Sequence, residues 1–186
     1  MKTIKKGFTL VELLVVMAIL GVLISLVAGN FRYTQIRGRD AQRKSDLKQL
    51  SLALELFFND FGYYPPSTNE KISGCPYVSG VLNSCDWGEK EEFSSRFSRG
   101  KVTYLSVIPA DPSSNNEYIY KLPDSSNKKF QLFARLENIE DQDCMCGDCE
   151  NPQVNYQCGS DICNFSITSS NTSYLEGSGL DNCVAE

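Results

Sequence analysis

The chain predicts an α+β fold: one long N-terminal helix packed on a small antiparallel β-sheet head that carries disulfides. Three features of the sequence predict it. An apolar run over residues 8–31 continues at helical spacing as far as Phe61. Beyond Gly62 and Pro65-Pro66 the pattern changes to short alternating segments between turn residues. Eight cysteines all lie past residue 74.

The helix comes first. Residues 8–31 hold Leu, Val, Ile, Ala and Met, with Glu12 the only charge. About 20 such residues span a bilayer, so this segment predicts a transmembrane helix. Gly21 and Gly29 are its weak points, each costing roughly 1 kcal/mol relative to alanine. Residues 32–61 continue it as an amphipathic helix. Leu47, Leu50, Leu54, Phe57, Phe58 and Phe61 fall at intervals of 3, 4, 3, 1 and 3, a single stripe on which a head packs. Arg37, Arg39, Arg43, Lys44 and Lys48 mark the opposite face. At 1.5 Å per residue the whole helix is on the order of 80 Å long. Gly62 and the two prolines end it.

Residues 62–186 form the head. Tyr63 to Lys101 is rich in Ser, Gly and Asn; it predicts a loop region with a short helix toward Phe97. Val102–Leu105 reads as a strand leading into the turn Pro109-Ala110-Asp111-Pro112. Tyr118–Leu122 and the alternating Phe130–Leu136 are strands joined through Asp124-Ser125-Ser126-Asn127, whose side chains bond their own backbone. They predict an antiparallel hairpin. Asn164–Ile167 and Ser173–Leu175 predict a second, weaker one. The sequons at Asn164 and Asn171 read as incidental.

Composition narrows the chemistry. The chain has no histidine, no glycine-rich phosphate loop and no nucleophile motif, which argues against an enzyme. Its formal charge of −5 argues against nucleic acid as a general partner, because phosphate binding needs clustered bases. If the bulk of the chain is exported, the even number of cysteines implies disulfides, with 105 possible connectivities. Cys75 and Cys85 flank a short loop and are the best pair. The cluster Cys144, Cys146 and Cys149, with Cys158 as fourth ligand, is the rival zinc site, disfavoured in an oxidising space.

The first dozen residues are the most specific. Lys2, Lys5 and Lys6 precede Gly7-Phe8, and Glu12 lies four residues further on, inside the apolar run. An ordinary secretory signal is cut after its apolar region, beside small residues, and would leave Glu12 unexplained. A lone acid in a membrane helix costs roughly 2.5–3.5 kcal/mol, so it requires a purpose. The pattern resembles the prepilin-type leader of type IV pilins and type II secretion pseudopilins. That resemblance implies cleavage between Gly7 and Phe8 by a prepilin peptidase, N-methylation of Phe8, and a role for Glu12 in drawing subunits into a filament. Residues 1–7 are then a leader. Its loss takes three lysines, leaving 15 bases against 23 acids, or −8.

Tyr64-Pro65 after the helix, and Asp111-Pro112 before a Tyr-x-Tyr strand, resemble the major pseudopilin and its relatives. That likeness implies a calcium loop near the C-terminus, for which Asp141, Asp143 and Asp148 are the candidate ligands; read from the residues alone, with no bidentate glutamate to close a calcium loop, the stretch is a solvated acidic loop and no cofactor is expected. It also implies a C-terminal disulfide of the kind seen in many pilins, between Cys163 and Cys183. The implied partners are copies of the chain in a helical filament, the peptidase, the assembly machinery, and the cytoplasmic membrane before assembly. The filament itself lies in the periplasm or outside the cell. A secretion pseudopilin, or a minor pilin that binds DNA or a surface, are the alternatives. Arg32 to Lys48 carries a net +4 and Glu137 to Glu150 carries −6, so these stretches are expected to meet between subunits.

Overall fold

The computed structural model describes residues 7–79, 81, 83–88, 91–97, 100–152 and 154–176. The chain forms two compact units, Met1–Arg37 and Gly38–Glu186. One helix, α1 (Leu10–Phe61), enters both. In the first unit the large apolar side chains from Leu10 to Ile24 are 45–80% exposed. The membrane span expected over residues 8–31 is not shown. Among the described residues no helix is long and apolar enough to cross a membrane. The side chains of residues 26–30, which complete the apolar run, lie outside them.

In the second unit the predicted stripe is the core. Leu47, Leu50, Leu54 and Phe57 are fully buried, against Tyr64, Ile72, Phe93, Ile108, Tyr118 and Phe130 among others. Full burial of such side chains stabilises by about 1.5–3 kcal/mol each. Gly62 ends α1 as a left-handed cap, with φ +72° and its N–H donating to the Phe58 carbonyl at 2.7 Å.

The head is built from short antiparallel pairs. β1 (Ser67–Thr68) pairs with β2 (Lys71–Ile72), and β3 (Phe93–Phe97) with β4 (Gly100–Leu105). β3 occupies the segment where a short helix was predicted. Its inward Phe93 stacks on Phe57 at 5.4 Å between ring centroids, and that packing decides for a strand. The predicted hairpin is present as β5 (Ile119–Lys121) and β6 (Gln131–Ala134), with Ile119 opposite Phe133. Asp124 organises its turn by accepting the Ser126 N–H at 3.0 Å.

The second predicted hairpin does not form. A short 3₁₀ turn, η1 (Met145–Gly147), and a two-stranded ribbon, β7 (Gln157–Cys158) with β8 (Asp161–Ile162), come first. β9 (Phe165–Thr168) then adds to the far side of β6, Leu132 facing Ile167. Residues 173–175 make no strand. Gln131, the first residue of β6, shows why. Its side-chain amide donates to the carbonyls of Ser173 and Glu176, at 2.6 and 2.8 Å, and holds that segment as a turn.

β6 is buried at all four positions, although its sequence alternates. One face meets the α1 core. The other meets a second cluster of Phe133, Ile119, Met145, Val154, Cys158 and Cys163. The cysteine-rich segment thus covers what would otherwise be the solvent face of the sheet.

Candidate functional site

Two places carry the chemistry: the start of α1, and a charged network between α1 and the head.

Gly7 and Phe8 precede the helix, and Phe8 is 89% exposed. Thr9 sits just before α1 and Glu12 in its first turn. The Glu12 carboxylate accepts from both the backbone N–H and the hydroxyl of Thr9, each at 2.8 Å. The Glu12 N–H in turn donates to Thr9 Oγ1 at 3.3 Å. This is a capping box, which satisfies donors left open at a helix start. Thr9-x-x-Glu12 is a capping signal already legible in the sequence, beside the partner in another subunit expected for Glu12. Within one chain the acid already has a local hold.

The charged network was also missed. Arg43 is fully buried. Its Nε and Nη2 grip both oxygens of Asp111 at 2.8 Å. Its Nη1 reaches Asp40 at 2.8 Å and Glu137 at 2.7 Å. Arg39 pairs with the same Glu137. Asp40 also accepts the backbone N–H groups of Glu137 and Asn138, at 2.9 and 2.8 Å. One step along, Lys44 Nζ lies 2.6 Å from both Asp141 and Asp143. Arg39, Arg43 and Lys44 are therefore matched to the acidic stretch within one chain, where a contact between subunits was expected. The signal was available: Asp40 and Arg43 continue the spacing of Leu47, Leu50, Leu54 and Phe57 by two further turns. They lie on the inward stripe.

The electrostatics follow from the geometry. Burial alone disfavours the charge on Arg43, but Asp111, Glu137 and Asp40 outweigh it, and the guanidinium holds its proton more firmly than usual. The paired hydrogen bonds from Arg39, with the one from Arg43, depress the Glu137 carboxyl to about 2. Burial pushes Asp46 upward, opposed by the Tyr118 hydroxyl that donates to it at 2.8 Å.

The remaining predicted residues fall as follows. Cys75 pairs with Cys85, as expected. Cys163 pairs with Cys158, not with Cys183, which lies outside the described residues. Cys158 and Cys163 end β7 and follow β8, and the tight ribbon brings them together five residues apart. Cys144 pairs with Cys149, and Cys146 is disulfide-bonded too, so the thiolates of the rival zinc site are not available. Asp148 accepts the N–H groups of Glu150 and Asn151, at 2.8 and 3.0 Å, in a local turn. Among the described residues no group of three His, Cys, Asp or Glu side chains is placed to hold a metal ion.

Residues 2–28 match the family model of the prokaryotic N-terminal methylation motif. A methylation motif leading into a long helix, with an antiparallel disulfide-bonded head, defines a pilin-like filament subunit. The chain is 28% identical to type II secretion system core protein G of Pseudomonas aeruginosa, over 79% of this chain and 96% of that one. It is 30% identical to the Escherichia coli core protein G, over 64% of this chain and 73% of that one. Similarity to the type IV major pilin PilA of Myxococcus xanthus is 38% over 65 residues, spanning 35% of this chain but only 30% of the pilin. No solved structure matches. The chain belongs to the type II secretion system core protein G family.

Proposed function

We propose that this chain is the major pseudopilin of a type II secretion system, processed at Gly7/Phe8 and polymerised through α1. The observation that carries the reading is the first unit: a helix whose apolar side chains stand exposed from Leu10 to Ile24, behind a methylation motif. Such a surface is unstable in water and needs lipid or other helices around it. Before assembly the cytoplasmic membrane supplies that cover, with the leader lysines on the cytoplasmic side. After assembly, neighbouring copies supply it.

Cleavage frees an ammonium at Phe8 that stays cationic after one methylation. Glu12 of an adjacent subunit pairs with it, each charge offsetting the other's desolvation. The capping box keeps Glu12 ordered until then. The role is structural, not catalytic. The secretion reading is preferred to a pilus because core protein G similarity extends through the head, while the pilin similarity covers about a third of the chain. A DNA-binding minor pilin is disfavoured, since Arg39, Arg43 and Lys44 are engaged by the chain's own carboxylates.

Intact-mass analysis of the mature protein should find methylated Phe8 as its first residue. Gly7→Leu should leave the precursor uncut. Glu12→Gln should be cut normally yet fail to form filaments or to support export of secreted proteins. A mature chain retaining Met1, or normal export by Glu12→Gln, contradicts the proposal.

A further inference from the structure

The acidic stretch Glu137 to Glu150 holds six carboxylates and no base. Held together, such a segment requires cations. Resemblance to the major pseudopilin implies a calcium ion there. The described side chains of this stretch do not fit one. Asp148, a candidate ligand, turns onto Glu150 and Asn151, its second oxygen accepting Asn151 Nδ2 at 3.2 Å. Asp141 and Asp143 converge, but on Lys44 Nζ, at 2.6 Å each. That ammonium comes from a helix residue 97 and 99 positions away in sequence. It also lies 5.8 Å from the centre of the Phe165 ring, on β9. Arg39 and Arg43 neutralise Glu137 in the same way, one step along the helix.

We propose that Lys44 is a covalently attached counter-ion that takes the place of a divalent cation, so that the acidic segment of the head is locked without calcium. The distinction is physical. A bound metal stabilises in proportion to RT ln(1 + [L]/Kd), so the stability of a metal-locked head follows the calcium around it. A lysine has a fixed local concentration, and its contribution does not depend on the medium's divalent ions. Its weakness is screening, because the Asp143 side chain is 64% exposed. The head therefore trades sensitivity to calcium for sensitivity to salt.

The test uses the full chain in detergent micelles at low ionic strength, with thermal melting followed in EDTA and in millimolar calcium chloride. The wild-type midpoint should agree in the two media to within about 1 °C. Lys44→Met should melt about 2–4 °C lower in EDTA, the shift expected of losing one modest interaction in a chain of this size. Lys44→Arg should keep most of the wild-type midpoint. Should Lys44→Met fail to fold, the wild-type comparison and a Lys44→Met/Asp141→Asn/Asp143→Asn variant, which removes both signs of charge, still decide. That triple variant should fold and show no calcium response. A wild-type midpoint raised by calcium and lowered by EDTA overturns the proposal, as does Lys44→Met melting like wild type. Neither result bears on processing or polymerisation, which rest on residues 7–12.

Discussion

Arg43 shows what a single buried charge can organise. It has no solvent exposure, and it contacts Asp111, Asp40 and Glu137. Replacing the whole network by apolar groups could be neutral, but removing only the cation strands buried carboxylates. Arg43→Met should therefore cost about 3–5 kcal/mol, read as a shift in the denaturant midpoint. An unchanged midpoint would mean the carboxylates are not held by this arginine. Glu137 adds a pH dependence of known sign. Its folded pKa lies at about 2, below the ordinary 4.5, so its contribution is complete above pH 4.5 and is lost as pH falls toward 2. That contribution is on the order of 3 kcal/mol at neutral pH. Asp46 works the other way, since its raised pKa favours the folded state as protons are added. Acid unfolding curves of wild type and Glu137→Gln should diverge above pH 4.5 and converge by about pH 2.

At the scale of elements, the legible parts are those in which one local pattern decides. The α1 stripe, Gly62, and the strands around Asp124 were read correctly because each residue's preference agrees with its tertiary setting. β3 was misread because its inward Phe93 is favoured by Phe57, which is distant in sequence. β9 was paired with the wrong neighbour, because strand partners chosen across tens of residues leave no local trace. The cysteine pairing has the same origin: Cys158 and Cys163 join because the β7–β8 ribbon folds the chain between them back on itself. Asn164 joins these distant pieces. It accepts the Leu136 N–H at 2.6 Å and donates to the carbonyls of Leu136 and Cys149, at 3.0 and 3.1 Å. It is fully buried, so its sequon is closed to modification in the folded head. Asn164→Ala takes the side-chain partner from both the N–H and the carbonyl of buried Leu136, while the Cys149 carbonyl keeps Arg135 Nη1 at 3.1 Å, at about 1–3 kcal/mol for each group left unsatisfied. The expected result is a head that folds at low temperature but melts early, with faster amide exchange at Leu136. Equal protection in the variant would show that water replaces the asparagine without cost.

At the scale of the molecule, the boundary between the two units falls between Arg37 and Gly38, inside α1. That position has a chemical reason. Among the described side chains Asp40 is the first buried residue of α1, and Arg39, Arg43 and Lys44 stand beside it. Residues 38–46 are thus part of the head's electrostatic core although they read as stalk. A fragment beginning at Gly38 keeps Arg39, Arg43 and Lys44, which pair with Glu137, Asp141 and Asp143. It also keeps the three described disulfides, of which the two with five-residue separation each contribute about 2 kcal/mol by loop closure. A fragment beginning at Leu47 keeps the apolar stripe and the disulfides but loses Asp40, Arg43, Lys44 and Asp46. Asp111 and Glu137 then have no guanidinium, Asp141 and Asp143 lose the Lys44 ammonium, and Tyr118 loses the carboxylate it donates to. The Gly38 fragment should give a cooperative melt and a structured near-ultraviolet circular dichroism spectrum. The Leu47 fragment should retain disulfides yet lose both signatures. If the shorter fragment melts cooperatively at the same temperature, then the apolar stripe alone defines the head and the charged turns of α1 belong to the stalk after all.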